Sequence, residues 1–293
     1  MKTVLDIAIP VIAILVMIPV GLDLTPEDFR KVARSPRLVG AALAGQVLLL
    51  PLCAIALVQI LDLKPHIMSG LLLIAACPAG GLSNCYTYLA RARTALSVTL
   101  TAGSCVAALG TMPVVMVAYS LLGQSLGFEV PAVRLIGHVF LMLVLPVLAG
   151  MALRRYYPAF AARHDMTFRR VSLAGLALLI GYIVSEEGGR VAKDIAETMP
   201  AAGVFLCFAM ACGYGVGVLC GGDTKGSFTL LIEFAVRNVA IATAIAVSVL
   251  GRLEFAAFAT AYFLIETPFL FAAVLIFKMR SGAAARMSVS CAQ

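Results

Sequence analysis

The sequence predicts an all-α polytopic membrane protein of nine transmembrane helices, and three observations carry the prediction. Of 293 residues, 62% are hydrophobic and 13% charged, with a mean hydropathy of +1.02; soluble domains are about 25% charged. Apolar stretches close to the ~20 residues that cross a bilayer recur along the chain. The Lys and Arg residues fall mostly on alternate connections, which makes the net charge of +7 an orientation signal and not a nucleic-acid-binding face. The eight cysteines form no C-x-x-C and sit mostly in apolar stretches, as packing residues and not as a disulfide framework or zinc site.

The spans are expected at about 3–22, 38–61, 67–90, 95–122, 131–153, 170–185, 199–220, 226–250 and 254–277. The run from Val4 to Val20 carries no small-residue cleavage motif, so it reads as a first span and not a signal peptide. An amphipathic loop with Arg30, Lys31, Arg34 and Arg37 follows. The second span holds Gln46 beside Pro51 and ends at Asp62-Leu63-Lys64-Pro65. The third breaks at Cys77-Pro78-Ala79-Gly80-Gly81, restarts with Ser83-Asn84, and ends at Arg91 and Arg93. Pro removes a backbone donor and glycines ease non-helical backbone. At bilayer depth such backbone survives only inside protein or along a cavity.

The fourth span places Ser97 and Thr101 at i and i+4, on one helix face. A weakly charged turn, Gly123 to Pro131, leads to the fifth span, and Arg154, Arg155, Arg163, Arg169 and Arg170 crowd the loop after it. Mixed charges from Glu186 to Pro200 separate the sixth span from the seventh, and Lys225 lies in the next loop. The eighth span carries Glu233, Arg237 and Asn238 near its middle. Arg252 sits in a tight turn, the ninth span carries Glu266 and Thr267, and Lys278, Arg280 and Arg286 form the tail.

Summed by side, fifteen Lys and Arg fall on one face of the membrane and six on the other, with Arg237 inside a span. The basic side is expected to be cytoplasmic, giving N-terminus out and C-terminus in, in the cytoplasmic (inner) membrane. Nine spans fit an inverted repeat of five that lacks its first helix. Pairing spans one to four with six to nine sets the third opposite the eighth, the two with the most polar interiors.

Those two spans carry the chemistry. Ser83, Asn84, Ser97 and Thr101 offer hard oxygen ligands suited to Na⁺ or to a substrate, although Ser and Thr also bond their own backbone or a neighbouring helix. A charge at the bilayer centre costs roughly 2.5–3.5 kcal/mol on insertion scales, so Glu233 and Arg237 call for a role. At i and i+4 they would form an ion pair on one continuous helix. Glu266 in the last span is a second candidate partner for Arg237, from a neighbouring helix. The eighth span has no Gly or Pro within this stretch to mark a break.

The segments CPAGGLSNCYTYLARARTALSVTLT and IEFAVRNVAIATAIAV, with GLDLTPEDF and GQVLLLP, resemble the bile acid/sodium symporter family over nearly the whole chain. The resemblance implies a panel domain (about 3–22, 131–153 and 170–185), a core domain of the other six spans, and two unwound helices crossing in the core. It places a first sodium site on Ser83, Asn84, Ser97, Thr101 and Glu233. It places a second on Gln46, Glu233 and the residue before Asn238, where the family has glutamine and this chain has Arg237. Asn238 matches a substrate-contacting asparagine. Gly81 stands where a threonine is frequent, and Thr267-Pro268 replace a polar pair in the last span. A guanidinium at the second sodium site would repel Na⁺ and supply its charge, implying one Na⁺ per cycle, or none with proton coupling.

The expected function is a secondary transporter, a Na⁺-coupled symporter of a small organic anion working by alternating access, with the lipid bilayer as its surroundings. Proton-coupled or Na⁺-independent anion transport is one alternative. Metalloid efflux using the Cys77 thiolate is another. An intramembrane enzyme using Glu233 and Arg237 lacks any H-E-x-x-H, G-x-S-x-G or acidic metal-binding motif in its favour.

Overall fold

A computed structural model describes residues 2–23, 36–61, 63–121, 137, 140–250 and 252–290. The expected loop with Arg30, Lys31 and Arg34 and the Gly123–Pro131 turn lie outside the described residues. Helix α1 is Lys2–Asp23. Helix α2 runs from Pro36–Ala44 through a π-helical turn, Gly45–Leu49, into Leu50–Leu61. Two half-helices follow, α3 (Pro65–Ala76) and α4 (Leu82–Leu89), then α5 (Thr94–Leu121). Helix α6 begins with the π turn Phe140–Val144 and continues as Leu145–Tyr156. Helix α7 is Pro158–Leu219 and α8 is Thr224–Ala235. Helix α9 runs from Val239–Ala244 into the π turn Ile245–Val249, and α10 is Leu253–Ser290.

The π turns in α2 and α6 have a local cause. Pro51 and Pro146 each stand two residues past one. A helix-interior proline has no N–H and clashes with the carbonyl four residues back, and a wider i→i+5 turn relieves both. In α2 this turn sets Gln46 into the interior, where it is 3% exposed.

Among the described residues, Arg37–Leu61, Ile195–Leu219 and Glu254–Ser281 are each long and apolar enough to cross a bilayer. The expected third span divides into α3 and α4, about 18 and 12 Å long, which together match a ~30 Å hydrocarbon layer. The expected eighth span divides in the same way into α8 and α9.

The expected separate spans at 170–185 and 199–220 run together instead. Residues 186–200, expected as a mixed-charge loop, are helical within the 62-residue α7, as are the arginine-rich residues 158–169. Ala192, Lys193, Ala196 and Glu197 are strong helix formers, and Pro200 does not interrupt the helix.

Helix packing falls into two groups joined by α7. In the first, α1 packs on α6 and on the N-terminal half of α7. Arg154 Nη1 donates to the Leu22 carbonyl at 2.6 Å, and Ser172 Oγ to that of Leu15 at 2.6 Å. In the second, the C-terminal half of α7 packs against α8 and α10. A Cβ on Gly213 would meet the Leu230 carbonyl at 2.4 Å, and one on Gly217 the Ser227 Cα at 2.5 Å. This is the small-xxx-small contact by which membrane helices approach closely.

Candidate functional site

The two broken helices cross. Ala79 and Arg237 pair as an isolated antiparallel bridge, with Gly80 N–H donating to the Val236 carbonyl at 3.0 Å and Asn238 N–H to that of Pro78 at 2.9 Å. Backbone groups freed by the breaks find partners, as low-dielectric surroundings require. Ala79 N–H donates to Ser104 Oγ at 3.1 Å, and the Tyr262 hydroxyl donates to the Ala235 carbonyl at 2.6 Å. Gly80 is needed where the chains meet, because a Cβ there would sit 2.9 Å from the Arg237 carbonyl oxygen. The break in α8–α9, with no glycine or proline of its own, is thus held by bonds from the α3–α4 break and from α10.

Glu233 ends α8 fully buried beside the crossing. Ser97 Oγ donates to its Oε1, and Thr101 Oγ1 lies 3.2 Å from both carboxylate oxygens. Ser83 Oγ is 3.2 Å from Thr101 Oγ1, Asn84 Oδ1 is 2.8 Å from Ser97 Oγ, and Thr87 Oγ1 donates to Ser97 Oγ at 3.3 Å. Ser83, Asn84, Ser97, Thr101 and Glu233 therefore converge as one group. With Thr87 the cluster holds seven side-chain oxygens and four hydroxyl protons. Ser97 faces two acceptors with a single proton. An oxygen-rich, proton-poor nest of hard ligands has the chemistry of a site for Na⁺.

Arg237 is 3% exposed, yet it makes no ion pair with Glu233 or Glu266 among the described residues. The i, i+4 geometry fails because the helix ends at Ala235 and Val236 is extended. Its guanidinium instead donates to the Cys77 carbonyl and, at 3.4 Å, to that of Ala75. It thereby caps the C-terminal end of α3, where a positive charge meets orphan carbonyls and the negative end of the helix dipole. Its Nε and Nη1 have no partner among the described residues. Gln46 Nε2 reaches the Glu233 carbonyl at 3.4 Å, and its Oε1 is unpartnered among the described residues. Gln46, Arg237 and Ser104 line a cavity of about 10 Å³, room for the centre of one water molecule. Glu266, 1% exposed, has no side-chain hydrogen-bond partner for its carboxylate among the described residues.

The four candidate substrate residues do not close on one point. Asn238 caps α9, its Oδ1 accepting from Ile241 N–H at 3.1 Å, while its Nδ2 contacts Met17 Sδ of α1 at 3.5 Å. Arg237 turns instead to the end of α3. Gly81 starts α4, and Thr267 bonds the Phe263 carbonyl of its own helix at 2.9 Å. Cys77, the thiol that metalloid efflux would need, is fully buried.

Sequence reasoning passed over Thr87, Ser104, Tyr262 and Met17. Helical spacing held the signal for three of them. Thr87 is Ser83 plus four, Ser104 is Thr101 plus three, and Tyr262 is Glu266 minus four. Met17 comes from a distant helix and carried no such mark.

Two interrupted helices crossing in a helical membrane protein, with a buried carboxylate among hydroxyls at the crossing, define the class of membrane proteins built on discontinuous helices. That architecture carries ion and substrate sites in secondary transporters. The chain belongs to the Sodium Bile acid symporter family, whose model matches residues 10–194. This match bears out the resemblance read from the motifs and includes the α3–α4 break, whereas Glu233 to Asn238 lie beyond it.

The chain is 28% identical over 236 residues to the "Probable sodium/metabolite cotransporter BASS1, chloroplastic" of Arabidopsis thaliana, covering 80% of this chain and 58% of that protein. It is 28% identical over 240 residues to the "Uncharacterized sodium-dependent transporter YocS" of Bacillus subtilis (strain 168), covering 79% and 71%. Against the "Ileal sodium/bile acid cotransporter" of Homo sapiens it is 26% identical over 219 residues, covering 75% and 62%. The chain thus spans little more than half the length of the chloroplastic relative.

Proposed function

We propose that this protein is a secondary transporter that couples Na⁺ to the symport of a small organic anion by alternating access. The observation that carries the reading is the Glu233 cluster, seven oxygens short of protons beside two crossed half-helices. Ser83, Asn84, Ser97, Thr101 and Glu233 would hold one Na⁺, and the ion's charge would tie α4, α5 and α8 together at the crossing. The names of two relatives couple sodium to a metabolite or bile acid and the third names sodium dependence, and these support the same reading.

Arg237 takes the place of a second cation. Its guanidinium already rests on the carbonyls at the end of α3, where a fixed charge leaves little reason to bind another. One Na⁺ per cycle follows. Asn238 offers its Nδ2 to a substrate carboxylate, since its present partner, a thioether, is a weak acceptor. The α1–α6 group would be the panel and the crossing assembly the core, moving against each other at the Met17–Asn238 contact. The site residues carry no enzyme role in this reading.

Within the bilayer, α7 as one rod would be about 93 Å long, three times the hydrocarbon thickness. The charged residues from Glu186 to Glu197 part its two apolar segments. Although these residues are helical in the structure, a rod of that length does not fit the layer, so in the bilayer the helix would break there and its segments cross separately, with the arginine-rich side cytoplasmic and the N-terminus outside.

The test is a thermal-shift series in NaCl at constant ionic strength with choline chloride, on the native protein and Arg237→Gln. The native protein should show a Na⁺-specific rise with one-site steepness, and the variant a steeper, cooperative rise. Silence in both removes the sodium assignment. A response only in the variant shifts coupling to protons. Liposome uptake of labelled carboxylates under an imposed Na⁺ gradient tests transport itself, and uptake indifferent to the gradient ends the symport reading.

A further inference from the structure

We infer that the paired ends of α8 and α10 form a binding site for one anionic phospholipid. Here the C-terminal part of α7, the start of α8 and the 273–281 stretch of α10 line a concavity of about 640 Å³. This is within the ~300–1,000 Å³ typical of small-molecule sites. Its lining includes the exposed Lys225, Arg280 and Ser281 together with Tyr214, Phe228 and Phe277.

The order of residue types along each helix is what a lipid requires. Phe228 follows Lys225 by three residues on α8, and Phe277 precedes Arg280 by three on α10. Each helix therefore sets a cation at one level and a phenyl ring one turn deeper along the span. The two rings stack on each other, centroids 4.0 Å apart and 7° from parallel. A phosphate between the cations would leave the glycerol and first methylenes against the aromatic wall. A soluble anion would satisfy the cations and leave that wall bare.

The local charge stays positive. Asp223, the nearby acid, is engaged elsewhere: its Oδ1 accepts from Gly226 N–H at 2.7 Å and from Arg93 Nε at 3.0 Å. Lys225 and Arg280 also fall together on the side that the sequence's basic excess marks as cytoplasmic, where the leaflet is rich in anionic lipid. The site lies apart from the Glu233 cluster and does not depend on the transport reading.

Native mass spectrometry of the purified protein tests it, using phosphatidylglycerol and phosphatidylcholine of matched chains. The expected result is one phosphatidylglycerol retained in preference to phosphatidylcholine. Its retention should weaken roughly tenfold or more in Lys225→Gln/Arg280→Gln, since each cation near an anionic lipid contributes about a kcal/mol. Lys278→Gln, which removes a charge from the same helix end outside the cavity, should retain it. Equal retention of both lipids, or equal loss in Lys278→Gln, overturns the site. So does equal stabilisation of the native protein by inorganic phosphate. Should the double variant not fold, the native protein still decides: its preference for phosphatidylglycerol must fade as salt is raised, and a salt-independent preference sinks the idea.

Discussion

At Ser97 one hydroxyl proton stands between Asn84 Oδ1 and Glu233 Oε1, and that shortage is the local reason to expect a cation. Glu233→Gln replaces a charged acceptor by an amide that brings protons of its own. The expected outcome is loss of the Na⁺-specific thermal shift with the fold retained, read by melting in choline chloride. An unchanged Na⁺ response in that variant would move the site elsewhere. Protons and Na⁺ would also compete for the same carboxylate, so the apparent Na⁺ affinity should fall as the pH is lowered through the acid range. A pH-independent affinity would count against Glu233 as a ligand. Tyr262 makes a different residue-scale case, because its hydroxyl satisfies the Ala235 carbonyl freed by the break. Tyr262→Phe leaves that buried acceptor orphaned and should destabilise by about 1–3 kcal/mol, visible as a lowered melting temperature without loss of Na⁺ specificity.

Elements meet here through the absence of side chains. At Gly80 the crossing allows no Cβ, since the Arg237 carbonyl carbon is 3.2 Å and its oxygen 2.9 Å from where one would stand. Gly213 faces the backbone of α8, whereas the next glycine along α7, Gly215, has open space around its Cβ position. Gly213→Ala should lower the melting temperature, and Gly215→Ala should raise it slightly through the ~0.5–1 kcal/mol helix preference of alanine. Equal effects at the two sites would mean that close approach of α7 and α8 does not govern stability. The third-span break was legible because Pro78, Gly80 and Gly81 announce it locally. Its counterpart at Val236 was not, because extended backbone there is imposed by pairing with residues 78–80.

At the scale of the molecule, Met17 and Asn238 join the two helix groups at a contact where both are nearly inaccessible, 1% and 4% exposed. If the groups rock about this contact, Met17→Cys should react with a small maleimide at a rate that Na⁺ alters. A rate indifferent to Na⁺ would place the moving interface elsewhere. Topology is checked in the same way. With the proposed break in α7, Arg190→Cys should react with a membrane-impermeant maleimide from outside, and Arg163→Cys only after the membrane is opened. Labelling of both from one side would mean that α7 does not cross twice.

The sequence by itself determined the helical membrane class, the third-span break and the family. Each of these depends on composition or on residues close together in the chain. Tertiary structure alone decided that Arg237 caps α3 without pairing with Glu233, and that Glu233 gathers hydroxyls from α4 and α5. It also decided that the second broken helix is opened by backbone bonds from the first. These outcomes rest on which distant groups meet in a low-dielectric interior, where freed backbone groups take their partners from across the fold.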